Sequence, residues 1–541
     1  MKKWLLALFI ITLTAVTLPS KYISFVYAAH DTYYVSPSGN NSNNGSIIQP
    51  WLTLKYAMEA AQPGDTIILR GGSYTYENFE IINGGTSGNP ITVKNYPGET
   101  PLFDNGLSFE LFGADWWIIE GLEVSNNTGD YVIELTSNAD HNIIRSLYIH
   151  DSASYGIAHQ LGSYNRYEQN RFEHIVSSSF TGDDLHGIEI LAGDNNTVKN
   201  NTFHNVSGDG IQLTYSCSYT LNNTLIENNA FSTSNDTEFP VPGCGENGVD
   251  IKCPKGGTVV KNNTFHGFRH ARNNCASGAD GEAIVIHQGA EKVTIDSNTF
   301  YDNNRHITAL QSDDITIRNN VMYDTVESDT QWCYDTAINI YETSGPTGIF
   351  VYNNTIVNTR NFLCGYNSEN IHFKNNLIYN SSSSTDTNMN SVVDAAYNGW
   401  FTVSNPLSRE TDTTGTDPKF VNALSNNYRL LSSSKAIDTG FNLDIPIDFA
   451  GTTRPQGNRY DLGAFEYVFS QLENQNNSSP VLSDNVIFNN YNCTNSVPVG
   501  IPDLFQIDTS VNTATLYFTP VTENTDSYII EYGEGKQADQ Y

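Results

Sequence analysis

The sequence predicts an all-β fold, a right-handed parallel β-helix: a single-stranded solenoid with a short N-terminal cap helix and a partial C-terminal β-sandwich. Three observations predict it. A short Asn-marked motif recurs along the middle of the chain, each recurrence carries two alternating β-branched segments, and the stretches between them are too short for crossover helices.

The motif reads Asn-Arg-Phe from Asn170, Asn-Asn-Thr-Phe from Asn200 and Asn262, Asn-Asn-Ala-Phe from Asn228 and Ser-Asn-Thr-Phe from Ser297. It continues from Asn319, Asn353 and Asn375 with Val-Met, Thr-Ile and Leu-Ile after the pair. The bare period is 22 residues, as from 298 to 320 and from 354 to 376, and insertions lengthen other steps. A fixed short period with variable insertions marks a solenoid whose loops grow from one side. Within each period one segment reads Gly-Ile-Glu-Ile (187–190), Gly-Ile-Gln-Leu (210–213), Gly-Val-Asp-Ile (248–251) or Ala-Ile-Val-Ile (283–286). The other reads Val-Thr-Ile (293–295) or Ile-Thr-Ile (315–317). Alternation of period two means strands, and each strand must pair with its equivalent one turn on. The repeated Asn sits where the chain turns, because Asn tolerates the left-handed region and its amide bonds the backbone. Stacked on successive coils, these amides form an inner ladder.

The domains follow in chain order. Lys2 and Lys3, the apolar run Trp4 to Val16 and the small residues before Ala29 read as a signal peptide over 1–28 and imply a secreted or cell-surface protein. Residues 29–105 read as the N-terminal cap and first coils. There Leu54, Ala57, Met58 and Ala61 share one face of a short helix that covers the open end of the core. Residues 106–467 hold the β-helix and its closure, 468–497 are an Asn/Ser-rich linker, and 498–541 hold two alternating strands of a partial sandwich.

Composition restricts the partners. The net charge is −32, from 27 basic and 59 acidic residues, which excludes nucleic acid and anionic membrane surfaces. No span of the mature chain is long and apolar enough to cross a bilayer, and the chain is expected to be a monomer. An acidic polymer remains a fitting partner when a cation mediates the contact. Six of the seven cysteines, Cys217, Cys244, Cys253, Cys275, Cys333 and Cys364, fall in the solenoid and can pair after export; Cys493 is left over. None forms a C-x-x-C pair, which argues against zinc.

Tyr33-Tyr-Val-Ser-Pro-Ser-Gly-Asn40, Pro50-Trp-Leu-Thr-Leu54 and the stretch from Ala61 to Tyr74 resemble the opening of the pectate-lyase-like β-helix superfamily, and most of all that of family-nine polysaccharide lyases. Asp417-Pro-Lys-Phe-Val421 and Asp461-Leu-Gly-Ala-Phe-Glu466 are similar to the closing region of such exported proteins, and the last residues resemble the start of a fibronectin type III domain. The resemblance implies calcium held by aspartates and a lysine base on neighbouring coils. The family's Asp-Asp-Gly-x-Asp cluster has its counterpart in Asp183-Asp184-Leu-His-Gly187-Ile-Glu189, with two inserted residues and Glu for the last Asp. The place of the family lysine, two after Gly248, holds Asp250, and the lysine is Lys252.

Aligning the coils on Gly187, Gly210 and Gly248 puts Glu189, Gln212 and Asp250 in one outward column, with Asp209 and Asn247 just before their glycines. Lys252 lies one outward step past Asp250; Glu282 and His287 take comparable places on the next coil, and Arg305 and His306 on the coil after. These types suit β-elimination of a uronic acid. Calcium takes carboxylate oxygens, with Asp183, Asp184, Glu189, Asp209, Glu246 and Asp250 as its candidate ligands. A base removes the proton beside the sugar carboxylate, and Lys252, His287 and Arg305 are the candidate catalytic residues. Gln212, Tyr215, Asn247, Glu282, His306 and Tyr341 are the candidate contacts to an acidic polysaccharide. Two other readings stand beside the lyase. One is a glycoside hydrolase using paired carboxylates from Asp183, Asp184 and Asp209, similar to polygalacturonases but without their Gly-His-Gly. The other is a non-catalytic surface or carbohydrate-binding protein.

Overall fold

The computed structural model describes residues 30–468 apart from 177–184, 235–244, 254–255, 270–280, 326–332, 334, 344, 346, 382–391 and 404–408, together with the backbone of 504–509 and 514–518. The chain divides into two compact units, Met1–Ser470 and Gln471–Tyr541. In the second, Leu504–Thr509 pairs antiparallel with Ala514–Phe518. The expected signal peptide, the linker from residue 469 on and one of the two expected sandwich strands, at 527–532, lie outside the described residues.

The first unit is the expected solenoid. Its described strands form three long parallel sheets. One of 14 strands runs from Thr32–Val35 to Val392–Ala396, one of 11 from Glu77–Ile81 to Asn361–Tyr366, and one of 14 from Gly72–Ser73 to Thr413–Gly415. Each strand pairs with its equivalent one coil on, so side chains of one column repeat roughly every 4.8 Å. Over the open end lies the α-helix Leu54–Ala60, with Leu54, Ala57 and Met58 buried. Thr53 caps it, and the Glu77 carboxylate accepts from the amides of Leu54 and Lys55 at 2.9 and 2.8 Å.

The doubled Asn has two jobs. The first of each pair turns the corner in the left-handed region, with φ of 58° at Asn200, 57° at Asn262 and 52° at Asn353. The second is buried in an amide ladder through Asn170, Asn201, Asn229, Asn263, Asn298, Asn320, Asn354, Asn376 and Asn398. At each step one Asn donates its backbone N–H and its Nδ2 to the next Oδ1, as Asn263 does to Asn298 at 2.9 and 3.0 Å. Its Nδ2 also donates to a carbonyl one coil back, Ile226 at 3.0 Å for Asn263. The buried ladder amides thus find partners along the axis.

Beside the ladder, Phe172, Phe203, Phe231, Phe265 and Phe300 stack with centroids 4.6–5.0 Å apart and planes within 8°. This stack explains the repeated glycines. A Cβ at Gly187, Gly210 or Gly248 would stand 2.6–2.7 Å from the ring of Phe203, Phe231 or Phe265. At the far end the described residues after 417 fold back on the coils. Asn319 and Asn353, corner residues of late coils, donate to the carbonyls of Ile447 and Asp461, and Arg454 pairs with Glu466, both side chains fully buried. Cys217–Cys253 and Cys333–Cys364 are disulfide-bonded; Cys244, Cys275 and Cys493 lie outside the described residues.

Candidate functional site

The outer face of the 11-stranded sheet carries the site. Ile211 and Leu213, Val249 and Ile251, Ile284 and Ile286 point into the core. The residues between them face outward in one column, Glu189, Gln212, Asp250, Val285, Thr308 and Asn339, in register from coil to coil. Lys252 and His287 pair one outward step further, and Asp209, Asn247, Glu282 and Arg305 form a third column.

A cleft of about 410 Å³ opens over these columns. Lys252 sits at its wall, its Nζ 2.7 Å from Asp250 Oδ2 and donating to Gln212 Oε1 at 2.5 Å. The other Asp250 oxygen meets His287 Nε2 at 2.8 Å. Across the cleft, Arg305 Nη1 donates to Glu282 Oε1 at 2.8 Å, and its Nε donates to the Cys333 carbonyl at 3.0 Å. Thr308 Oγ1 donates to the same Glu282 oxygen at 2.7 Å. Glu246, Asn247 and Tyr341 also line the cleft, and Asn247 Nδ2 donates to Asp209 Oδ1 at 2.8 Å. Four coils therefore bring Asp209, Gln212, Asp250, Lys252, His287 and Arg305 together on one face of the sheet.

The electrostatics follow from burial and crowding. Burial first, then the neighbouring Asp250 and Glu246 carboxylates, push Asp209 well above the usual carboxylate range. Burial raises Glu189 too, against the hydrogen bond it accepts from Gln212 Nε2 at 2.9 Å. For Asp250 burial is outweighed by the hydrogen bond from His287 and by Lys252, and its pKa is lowered. Burial works to lower Lys252, but Asp250, Asp209 and Glu246 together hold it above an ordinary lysine. His186, buried beside Asp209 and lowered to about 3 by burial and by the Lys252 charge, is neutral. It accepts the Asp209 backbone N–H at Nδ1, 3.0 Å away.

The structure corrects one expected contact. His306 is fully buried (0 % exposed), its ring 5.9 Å from Phe300, in the interior column of Gly210, Gly248 and Ala283 rather than on the groove. Where the stack passes from Phe300 to Met322 there is room for an imidazole, which burial drives down to about 3. Tyr215 lies on the loop after the Asp209–Leu213 strand and not among the cleft-lining residues. Asp183 and Asp184 lie outside the described residues. Val285, Thr308, Leu310, Cys333 and Asn339 line the cleft without having been singled out. Carrying the outward column three coils past Asp250 finds Val285, Thr308 and Asn339.

Among the described residues no three His, Cys, Asp or Glu side chains are placed to hold one metal ion. Asp250 spends both oxygens on Lys252 and His287, Asp209 is bonded to Asn247 and Glu189 to Gln212. Glu189, Asp209 and Asp250 thus each have a partner within the wall, and Asp183 and Asp184, the other acids of the expected set, lie outside the described residues.

Two family models meet on this chain. Residues 33–184 match the one described as Pel9A-like, right handed beta helix region, and residues 187–385 match the right handed beta helix region. The chain carries a pectate-lyase-like right-handed parallel β-helix. The protein YwoF of Bacillus subtilis (strain 168) is 37% identical over 107 residues, 18% of this chain and 22% of its own. Pectate lyase L of Paenibacillus polymyxa (strain SC2) is 26% identical over 333 residues, 57% of this chain and 70% of its own. The match thus spans about a fifth of the first relative and over two thirds of the second. The crystal structure of pectate lyase Pel9A superposes with a TM-score of 0.46 at 19% identity, over 81% of this chain and 97% of that one. Among the described residues no helix is long and apolar enough to cross a membrane.

Proposed function

We propose that this protein is an extracellular polysaccharide lyase that cleaves a uronate-containing polymer by β-elimination in the cleft of the 11-stranded sheet. The observation that carries the reading is the meeting of Lys252 and Arg305, drawn from different coils, in one open cleft on the groove face. The pectate lyase relative supports the substrate class, and the two disulfides support export.

In this reading Lys252 Nζ, as the free amine, takes the proton from the carbon beside the sugar carboxylate. The electrons form the new double bond as the glycosidic oxygen leaves and gathers a proton from water. Asp250, held by His287 on one side, aims the lysine, and Gln212 braces it from the coil before. Arg305 is the second cation of the cleft and draws the sugar carboxylate, with Glu282 and Thr308 fixing its direction. Glu246, Asn247 and Tyr341 contact the chain along the walls. Because carboxylates hold Lys252 above an ordinary lysine, the free amine is scarce at neutral pH and the reaction is favoured in alkaline solution. Calcium is the proposed cofactor, although no step above runs through it and the described carboxylates would have to leave their present partners to bind it.

The test is incubation with polygalacturonate, rhamnogalacturonan and alginate, with calcium or with chelator, followed by ultraviolet absorbance and reducing-end assay. Absorbance that rises with one polymer supports the lyase. Reducing ends without absorbance favour hydrolysis, and silence on every polymer favours a binding protein. A rate unchanged by chelator removes calcium from the reading.

A further inference from the structure

Neither the coil packing nor the proposed chemistry uses the Tyr215–Tyr219 pair or the disulfide behind it. The Asp209–Leu213 strand ends at Thr214, which turns in the left-handed region with φ 52°. Three residues on, Cys217 is disulfide-bonded to Cys253, the residue that follows Lys252. Cys217 Sγ also lies 3.3 Å from the carbonyl of Gln288, the residue that follows His287. The loop is thereby fastened at the wall where Lys252 and His287 emerge. Its two tyrosines meet edge to face with centroids 5.6 Å apart and hydroxyls 3.2 Å apart, and they remain 52% and 41% exposed. The hydrogen bond to Tyr219 is the largest influence raising the Tyr215 hydroxyl, ahead of burial and the Glu189 charge.

We infer that Tyr215 and Tyr219 form a pyranose-stacking subsite beside Lys252, held in place by the Cys217–Cys253 bond. The inference rests on the polysaccharide reading of the groove. An isolated exposed tyrosine needs no explanation. Two rings locked to each other, on a loop tied to the strand that carries the proposed base, make a rigid apolar surface already ordered before a ligand arrives. The surrounding wall bears Glu189, Asp209, Glu246 and Asp250, so hydrogen-bonding to a polyanion there meets repulsion. Packing the C–H face of a sugar ring on a neutral aromatic ring adds affinity without that cost. The ligand class is a pyranose unit of the polymer, one step along the chain from the unit that Lys252 attacks.

The experiment measures calorimetric Kd, KM and kcat on whichever of the three polymers binds, using the full chain with its disulfides formed. Tyr215→Ala/Tyr219→Ala is expected to raise Kd and KM about tenfold, with the loss in kcat/KM carried by KM. Tyr215→Phe/Tyr219→Phe, which keeps the rings, is expected to bind within about twofold of the native protein. Cys217→Ser/Cys253→Ser, shown to be folded by circular dichroism, is expected to weaken binding in the same direction as the alanine pair. An unchanged Kd in the alanine pair overturns the subsite. A phenylalanine pair as weak as the alanine pair overturns stacking as its basis, and an unchanged Kd in the serine pair overturns the clamp. Native protein that binds but forms no unsaturated product, with a weakened alanine pair, leaves the subsite standing and sinks the lyase reading. Product formation with an unchanged alanine pair does the reverse. Native protein that binds none of the polymers defeats both.

Discussion

The inner and outer columns of the same coils obey opposite rules. Inside, Phe172, Phe203, Phe231, Phe265 and Phe300 repeat one residue five times, and the neighbouring amide ladder repeats Asn from Asn170 to Asn398. Outside, on the groove, the column reads Glu189, Gln212, Asp250, Val285, Thr308, Asn339 and changes at every step. Both have the same spacing and the same backbone. Stacking rewards identity, because like rings and like amides satisfy each other along the axis, whereas a binding wall needs different groups at fixed separations. Repetition in this chain therefore marks what holds it together, and its interruption marks where chemistry can sit.

Substitutions can break that contrast from either side. The largest effect belongs to the interior. Phe265→Ala opens a hole between rings 4.6 and 5.0 Å away and is expected to cost about 3–5 kcal/mol in denaturant unfolding, if the coils unfold together. Asn298→Ala comes next, at about 2–4 kcal/mol, because it removes the acceptor of the Asn263 backbone N–H and Nδ2 and the side-chain donor to the Val260 carbonyl and Asn320 Oδ1. A thermal or urea midpoint unmoved by either change would contradict the ladder's share in stability. On the groove the expected effect is on pH dependence. Asp250→Asn removes the nearest charge that holds Lys252 high, so a larger share of amine is free at any given pH. The rising limb of kcat/KM against pH should move to lower pH. Movement to higher pH would show that Asp250 does not set the base.

The repeat made the fold legible. The doubled Asn announced both the corner and the ladder, and the Gly before each Ile aligned the coils well enough to bring Asp209, Asp250 and Lys252 to one wall before any coordinates. His306 shows where pattern reading failed. It follows Arg305, and the sequence expects both on the groove, but alternation breaks at the start of each of these strands. Two successive residues face inward there, as Gly210 and Ile211 do. The glycines themselves carried the missing signal, since they are small only because a Phe lies behind them, and His306 stands in their column where Met322 continues the stack. The charge state of Lys252 was beyond the sequence for another reason. Its sign depends on Asp250 and Glu246 of its own coil and Asp209 of the coil before, set against burial, and adjacency alone does not rank them.

The groove's proposed base is tested most directly by Lys252→Ala and Lys252→Arg, assayed at alkaline pH for unsaturated product on the polymer that the native protein cleaves. Loss of about 100-fold or more in kcat for both, with a melting temperature close to the native one, is the predicted result, because arginine keeps the charge but does not give up its proton. Full kcat in either variant would contradict it and move the chemistry away from this wall.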